Sequence, residues 1–515
     1  MDQRADLAII GGGSTAISFL AQFIDLIQTQ SDNSNLHIIV FEPSPTIGPG
    51  GPYGSDLSSN LLNIPAGKMS AYAQHRDHFL AWMQRQSDVL LQNYDVKKIN
   101  ADDFVARPLF GLYLQDVWQK TLLKATKMGI TLRHVQDTIC RITRSPIDGP
   151  QLHTPQGSLH WASRVVLCNG NLPSIAFPHL EKHPNYFNSP YPVRTLVDTI
   201  PKNSKVGIIG TSLSAIDAIV ALKQQGHTGE IIATSRNGRL PSVRSQLGIP
   251  RQVEPLNIEQ FLALSKDNNG SLTLSDVLTV LTSSLAKTGT TYNMSEMMGA
   301  DLHPHAALEH EISVSLNSPR LWQNVAISLN DVIEQVWHLL ALPERERFYS
   351  EWRSLWMTRR ATFPLANAMR LQQYISTQSL QILPKFHRCF DTEKGLMIQL
   401  SGANNALHCH YVDYLINATS FSLDITQTKD PLMNSLLQQG LVCPDPYGGL
   451  RLDFDTGCLI NSSDERIAEI SVLGSLATGT YFWTVSLDVN ARLALKQAER
   501  LAVELSPKTE SHHCM

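Results

Sequence analysis

Two segments of this chain, "DLAIIGGGSTAISFL" at 6–20 and "KVGIIGTSLSAIDAIVAL" at 205–222, each run from an apolar strand through a tight small-residue turn into an apolar helix. Such a helix start leaves backbone N–H groups unpaired and adds a partial positive charge, a combination that suits a phosphate. Each segment is followed by a second strand-like run, "LHIIVFE" and "EIIATSR", so βαβ order occurs twice. The predicted fold class is α/β: two Rossmann-like dinucleotide-binding domains with a helical insertion.

At 515 residues the chain is long enough for two or three domains. Its 42 basic and 46 acidic residues are interspersed, which gives no basic field for nucleic acid or anionic lipid. The seven cysteines are odd in number, irregularly spaced and free of C-x-x-C, which argues for a reducing cytoplasm and against structural zinc or a disulfide framework. "MDQRADLAII" lacks the basic region and apolar run of a signal peptide, and no stretch is long enough to span a bilayer. The expectation is a cytoplasmic protein with no nucleic-acid, membrane or metal partner; homo-oligomer formation is left open.

Along the chain, 48–70 is too rich in Gly, Pro, Asn and Ser for a regular element and too long to be mere connection. Helix-like segments follow at 76–92 and 110–128, then a strand at 164–173. Residues 246–380 read as amphipathic helices with Trp322, Trp337, Trp352 and Trp356 on an apolar stripe, a core feature. The expected division is 1–200 and 426–505 for the first dinucleotide-binding domain, 201–245 and 381–425 for the second, 246–380 as a lid or substrate wall, and 506–515 as a flexible tail.

Gly11, Gly13 and Ala16 occupy the G-x-G-x-x-G/A places: one glycine for the turn, one for pyrophosphate approach, one small residue for helix packing. Glu42 ends the next strand, where a carboxylate accepts hydrogen bonds from a ribose diol. Gly48 to Gly54, with Gly50 and Tyr53, bring backbone donors and an aromatic ring toward a flat cofactor. In the second turn Gly210 keeps its place, but Ser212 replaces the middle glycine, and its Cβ crowds the pyrophosphate approach; Leu213 and Ser214 open the helix. Ser235 and Arg236, with Arg239 nearby, stand where an NAD site has an acid; a guanidinium suits a 2′-phosphate, so NADPH is preferred to NADH.

These features, with "GPGGPYG", "NLLNIPAGKMS", "WRSLWMTRRATFP" and "VLGSLATGTYFWTVSLDVNARLA", resemble the bacterial FAD/NAD(P)-binding flavoproteins, two-dinucleotide-binding-domain proteins related to NADPH-dependent flavin N-hydroxylating monooxygenases. The resemblance implies that Gly11, Gly13, Ser14, Thr15, Glu42, Asn63, Met69, Ser70, Asn169 and Gly170 lie near FAD, with Gly474, Thr480 and Tyr481 by the isoalloxazine. Thr419 joins the NADPH set through "INATS", which, like "CNG" at 168–170, is similar to an A-T-G domain crossing. Ser475 stands where the family has an acid.

The implied reaction is hydroxylation of a small amine or amino acid with NADPH and O2 through a flavin hydroperoxide. No catalytic side chain is assigned, because flavin carries the chemistry. Arg359 and Arg360 are candidate anchors for a substrate carboxylate, or a helix-end basic pair. His303, His305 and His310 read as surface residues, and Cys168 as a buried, inert thiol. The alternatives are an FAD-binding module with little NADPH turnover, which Ser212 and Ser475 favour, and an FAD amine oxidase.

Overall fold

The computed structural model describes residues 4–28, 35–145, 149–245, 254–289, 293–299, 302–402, 404 and 406–506. The chain divides into two units, one of Met1–Gly54, Ile64–Leu172 and Leu423–Met515, the other of Ser55–Asn63 and Pro173–Ser422. Both are α/β, as expected.

In the first unit the strands Thr131–Val135, His37–Phe41, Ala5–Ile10, Leu159–Leu167 and Arg466–Val472 lie side by side in that order, all parallel. Ala5–Ile10 is central, with Leu7 facing Ile38 and Ile9 facing Val166 in register. Leu7, Ala8 and Ile9 have no exposed surface, which is why this strand reads as an unbroken apolar run rather than an alternating one. Each such buried Leu or Ile contributes roughly 1.5–3 kcal/mol. Helix Ser14–Gln28 packs on the closing helix Leu487–Leu505, and Gln22 Nε2 donates to Ala491 O at 3.0 Å. Two further strands, Arg141–Ser145 and Gly149–His153, form an antiparallel hairpin that leads into Leu159–Leu167.

The second unit repeats the plan. Its strands Leu380–Leu383, Ile231–Thr234, Val206–Ile209, Tyr414–Asn417 and Tyr186–Phe187 are parallel in that order. An antiparallel set, Phe386–Thr392, Gly395–Ser401 and Leu407–Val412, again precedes the fourth strand. The helical segment interrupts the connection between Ile231–Thr234 and Leu380–Leu383. Trp322 and Trp337 are buried there, as the apolar stripe predicts, whereas Trp352 and Trp356 are half-buried.

Several expected boundaries move. Residues 173–200, expected with the first domain, belong to the second unit, because Tyr186–Phe187 pairs with Tyr414–Asn417 and helix Val193–Thr199 packs on helix Leu213–Gln224. Residues 55–63 join them: Asp56 accepts from the backbone N–H groups of Val193 at 3.0 Å and Arg194 at 2.9 Å. The strand expected to reach 173 ends at Leu167. The helix expected over 76–92 is two short helices, His78–Met83 and Asp88–Gln92, the second capped by Ser87. The next begins at Arg107 rather than 110, with Pro108 in its first turn, where the missing N–H costs nothing. Residues 507–515, most of the expected tail, lie outside the described residues. Among the described residues no helix is long and apolar enough to cross a membrane.

Candidate cofactor sites

Strand order in the first unit reverses beside Ala5–Ile10, and open α/β sheets bind ligands at the carboxyl ends of strands at such a point. Gly11 follows that strand at φ +101°, and a Cβ there would collide with the carbonyl of Cys168, so only glycine lets the two strand ends approach. Cys168 N in turn donates to Ile10 O at 2.7 Å. The Cys168 thiol is buried and pushed up to about 12 by desolvation, so it stays protonated; the residue contributes its backbone.

The 48–54 loop lies directly on this turn. Gly48 N donates to Gly12 O at 2.8 Å, and a Cβ on Gly50 would come within 3.2 Å of Gly13 Cα. Tyr53 sets its ring edge-on to Phe110 at 4.9 Å, and burial raises its phenol above the usual value. Glu42 reaches back so that its Oε2 accepts from Gly12 N and its Oε1 from Ser44 N, both at 2.9 Å. Each carboxylate oxygen keeps acceptor capacity.

The chain ends that meet here are open to a ligand. A Cβ on Gly170 would meet nothing within 4 Å, one on Gly13 only Gly50 Cα at 3.7 Å, and one on Gly474 only Thr15 beyond 3.5 Å. Asn169 Oδ1 is buried without a partner among the described residues. Open backbone at a helix start, a carboxylate at the second strand end and an unpaired buried acceptor fit a dinucleotide with hydroxyl and amine donors.

Other residues of the expected FAD set have fixed surroundings of their own. Tyr481 is expected at the isoalloxazine, but its side chain is 2 % exposed and its hydroxyl donates to Phe454 O at 2.9 Å, which makes it a core residue. Thr480 Oγ1 accepts from Leu452 N at 3.3 Å. Met69 and Ser70 are buried; beside them the Tyr113 hydroxyl accepts from Ala71 N at 3.0 Å and lies 2.8 Å from His78 Nδ1. Asn63 falls in the second unit.

Two features were missed. Ser475, noted only as a departure, donates its hydroxyl to Gly170 O at 2.6 Å and so ties the late segment to the "CNG" end. Phe482 adopts φ 64°, ψ −66°, with Trp483 N donating to Tyr481 O at 2.9 Å: a γ-turn of the rare, strained hand that no residue pattern announces.

The second unit repeats the turn. Gly210 has φ +127°, and a Cβ there would strike the carbonyl of Ala418. Its N–H donates to Thr234 O at 2.7 Å, as Gly11 N donates to Phe41 O at 2.8 Å. Ser212 caps helix Leu213–Gln224 from φ −92°, ψ −166°, extended backbone that any residue adopts; it is exposed, and its hydroxyl makes no capping bond. Leu213 and Ser214, in the first turn, are half-buried.

Ser235, expected to meet a phosphate, instead shapes the loop: its hydroxyl lies 2.9 Å from Thr211 Oγ1 and accepts from Gly238 N at 2.9 Å. Arg236 and Arg239 are exposed, and Arg239 O accepts from Thr211 Oγ1 at 2.6 Å. Thr419 donates through its N–H and hydroxyl to Asn417 Oδ1, at 3.0 and 2.7 Å. Ser420 takes φ +123°, where the first unit has Gly170 at φ +76°.

Neither arginine proposed as a substrate anchor is held in reserve. Arg359 donates to Glu311 Oε1 at 2.8 Å, Met297 O at 2.9 Å and Glu296 O at 2.6 Å, and Arg360 donates to Asn330 Oδ1 at 2.6 Å. His303 and His310 are exposed, as expected; His305 is half-buried, its ring edge-on to that of His303 at 4.9 Å.

Residues 8–172 match the FAD-NAD(P)-binding family. An Escherichia coli (strain K12) protein named "Uncharacterized protein YdhS" is 28% identical over 294 residues, 51% of this chain and 50% of that protein, so the match spans about half of the relative's length. Among solved structures, L-lysine 6-monooxygenase from Pseudomonas syringae is similar with a TM-score of 0.59 at 15% identity, over 97% of this chain and 100% of that one. The ornithine hydroxylase PvdA from Pseudomonas aeruginosa, in its reduced form, gives 0.58 at 14% identity, over 98% and 100%. The Kutzneria sp. 744 ornithine N-hydroxylase KtzI gives 0.59 at 13% identity, over 98% and 100%. With its first glycine turn inside the matched segment and the turn repeated in a second unit, the chain carries an FAD-NAD(P)-binding segment over residues 8–172 and shares the fold of these hydroxylase structures.

Proposed function

We propose that this chain is an NADPH-using, FAD-dependent monooxygenase that hydroxylates the nitrogen of a small amine or amino acid. The observation that carries the reading is the pairing of two glycine turns of the same geometry with different partners at the second strand end: Glu42 in one, the exposed Arg236 in the other. A carboxylate suits a ribose diol and a guanidinium suits a 2′-phosphate, so the first turn takes FAD and the second NADPH. The fold's likeness to proteins named as ornithine and lysine hydroxylating enzymes supports an amine or amino acid as substrate.

Bound FAD supplies the redox chemistry and, once reduced, the activation of O2. The protein's part is to hold and orient. In this reading Gly11, Gly13, Ser14 and Thr15 bind the pyrophosphate end, Glu42 fixes the adenosine ribose, and Asn169, Gly170 and Gly474 line the flavin end. Ser475 holds Gly170 in place. Gly210, Leu213 and Ser214 carry out the pyrophosphate role for NADPH, and Arg236 selects its 2′-phosphate.

Anaerobic NADPH should bleach the flavin of the purified protein. In air, NADPH consumption with one member of a panel of amines and amino acids should yield a product heavier by one oxygen atom, read by mass spectrometry. Persistent yellow colour under excess NADPH would replace this reading by an FAD-binding module, which the serine at 212 favours. Stoichiometric peroxide with substrate oxidation and no NADPH requirement would replace it by an amine oxidase.

A further inference from the structure

The 48–54 loop that lies on the first glycine turn is soft by composition. Four of its seven residues, Gly48, Gly50, Gly51 and Gly54, are glycine, which gives up more backbone freedom on ordering than any other residue. Pro49 and Pro52 fix φ only at their own positions. The start of the loop is tied by the bond from Gly48 N to Gly12 O, and a Cβ on Gly48 would come within 2.9 Å of the backbone of Leu114 in helix Arg107–Lys127. Farther on, the Tyr53 ring meets Phe110, and a Cβ on Gly111 would strike the Tyr53 carbonyl. Packing of this kind limits where the loop can lie but has no direction of its own.

The directional tie at the far end comes from the other unit. The chain leaves the first unit after Gly54 and returns to it at Ile64. Asp56, half-buried just past that crossing, has a saturated carboxylate: Oδ1 accepts from Leu57 N at 2.8 Å and Arg194 N at 2.9 Å, and Oδ2 from Asn60 Nδ2 at 3.1 Å and Val193 N at 3.0 Å. Four bonds fill the acceptor sites of a carboxylate. Two of them go to the first turn of helix Val193–Thr199, where N–H groups lack partners inside the helix and favour a negative charge. Asn60 closes the turn from the same side, its N–H donating to Leu57 O at 3.1 Å. Two residues span at most about 7 Å, so a fixed Asp56 leaves Gly54 little room.

We infer that Asp56 is a positioning residue for FAD: by anchoring the end of a glycine-rich loop it preorganises residues 48–54 on the first glycine turn, and it acts on the cofactor through that loop. The inference rests on the reading of the first turn as the FAD site. The cost of ordering the loop then falls on folding rather than on cofactor binding, which is how preorganisation raises affinity. Retention of FAD by one unit thereby depends on a helix start in the other, through the continuity of the chain.

The test uses the FAD-loaded full chain, with cofactor release on dilution followed by the rise of flavin fluorescence. Asp56→Ala should speed release by about tenfold, and Asp56→Asn, which keeps the shape and one acceptor oxygen, should fall between it and the wild type. The decisive variant adds Gly51→Ala to Asp56→Ala. A Cβ on Gly51 meets nothing within 4 Å and its φ lies outside the left-handed region, so alanine there only removes freedom from the loop. It should slow release again by about twofold to fivefold. A carboxylate that merely caps a helix of the second unit would change the melting of the chain and leave release untouched. Release at the wild-type rate in both Asp56 variants would therefore overturn the inference and leave the FAD site standing. Faster release that Gly51→Ala does not slow would overturn it as well, because Asp56 would then act by a route other than the loop. A wild-type chain that holds no flavin would overturn the reading of the first turn itself. Asp56→Asn decides if Asp56→Ala does not fold, with Gly51→Ala added to it in the same way.

Discussion

The two units share a plan of five parallel strands with a glycine turn after the central one, and they carry different residues along it. In each, a glycine of positive φ follows the central strand and presses on the carbonyl of a residue that closes the neighbouring strand, Cys168 in one and Ala418 in the other. Among the matched differences are Gly13 against Ser212, Glu42 against Ser235 and Arg236, and Gly170 against Ser420. What stays fixed is the position where a side chain is sterically excluded. What varies is the residue type at neighbouring positions where no such exclusion applies, so backbone necessity and residue choice are separable along the same motif.

The hardest test of that separation is the pair Gly11→Ala and Gly210→Ala. Each should cost about 3 kcal/mol or more, since the new Cβ meets a backbone carbonyl and the φ is unsuited to alanine. The first should abolish FAD retention, measured by flavin absorbance after gel filtration. The second should keep FAD and lose NADPH-dependent bleaching; loss of FAD from both would break the assignment of separate cofactors.

A smaller effect is expected from Ser212→Gly, which restores the matched residue of the first unit. If the Cβ crowds the pyrophosphate, the Kd for NADPH should fall roughly threefold to tenfold. An unchanged Kd would show that the extended backbone of Ser212 already turns its side chain away.

Smallest is the exchange at the crossings. Ser420→Gly should raise stability to chemical denaturation by about 1 kcal/mol, because serine bears the cost of a positive φ there, and Gly170→Ser should lower it by a similar amount. Equal and opposite shifts would sharpen the correspondence of the two crossings, whereas a loss in both would mean that Ser420 makes a contact worth more than its strain.

The duplication was legible because continuous Val and Ile runs with glycine turns have few other uses, and Leu7 to Ile10 and Gly207 to Ile209 fall where periodicity put them. Glu42 was legible by position alone. Tyr481 was misplaced because an aromatic beside a glycine-rich segment looks the same whether its hydroxyl faces a cofactor or, as here, a carbonyl of Phe454. Arg359 illustrates a related limit: its partner Glu311 lies on another helix, and a pattern of 3.6 residues says nothing about which helix is opposite. The shift of residues 173–200 into the second unit hangs on a two-residue strand, Tyr186–Phe187, too short to show any alternation.

Both units also place a long excursion in the same slot, between the second and third strands: residues 42–130 in one, 235–379 in the other. Those strands are not sequential neighbours in any tight turn, yet they lie side by side in parallel, so the ends of the excursion are held at a fixed short separation whatever runs between them. The closure entropy of such an excursion grows only with the logarithm of its length, by about 0.6 kcal/mol per doubling. Lengthening the exposed loops in that slot therefore costs the sheet little, whereas Val243, Leu308, Ile312, Phe363 and Leu371, all within the second excursion, are buried in one core cluster with Ile208, Ala215 and Ile231. For a protein engineer the slot is a port with one condition: an insert between fixed strand ends whose exposed loops can be rewritten while the buried faces it lends to the core are kept.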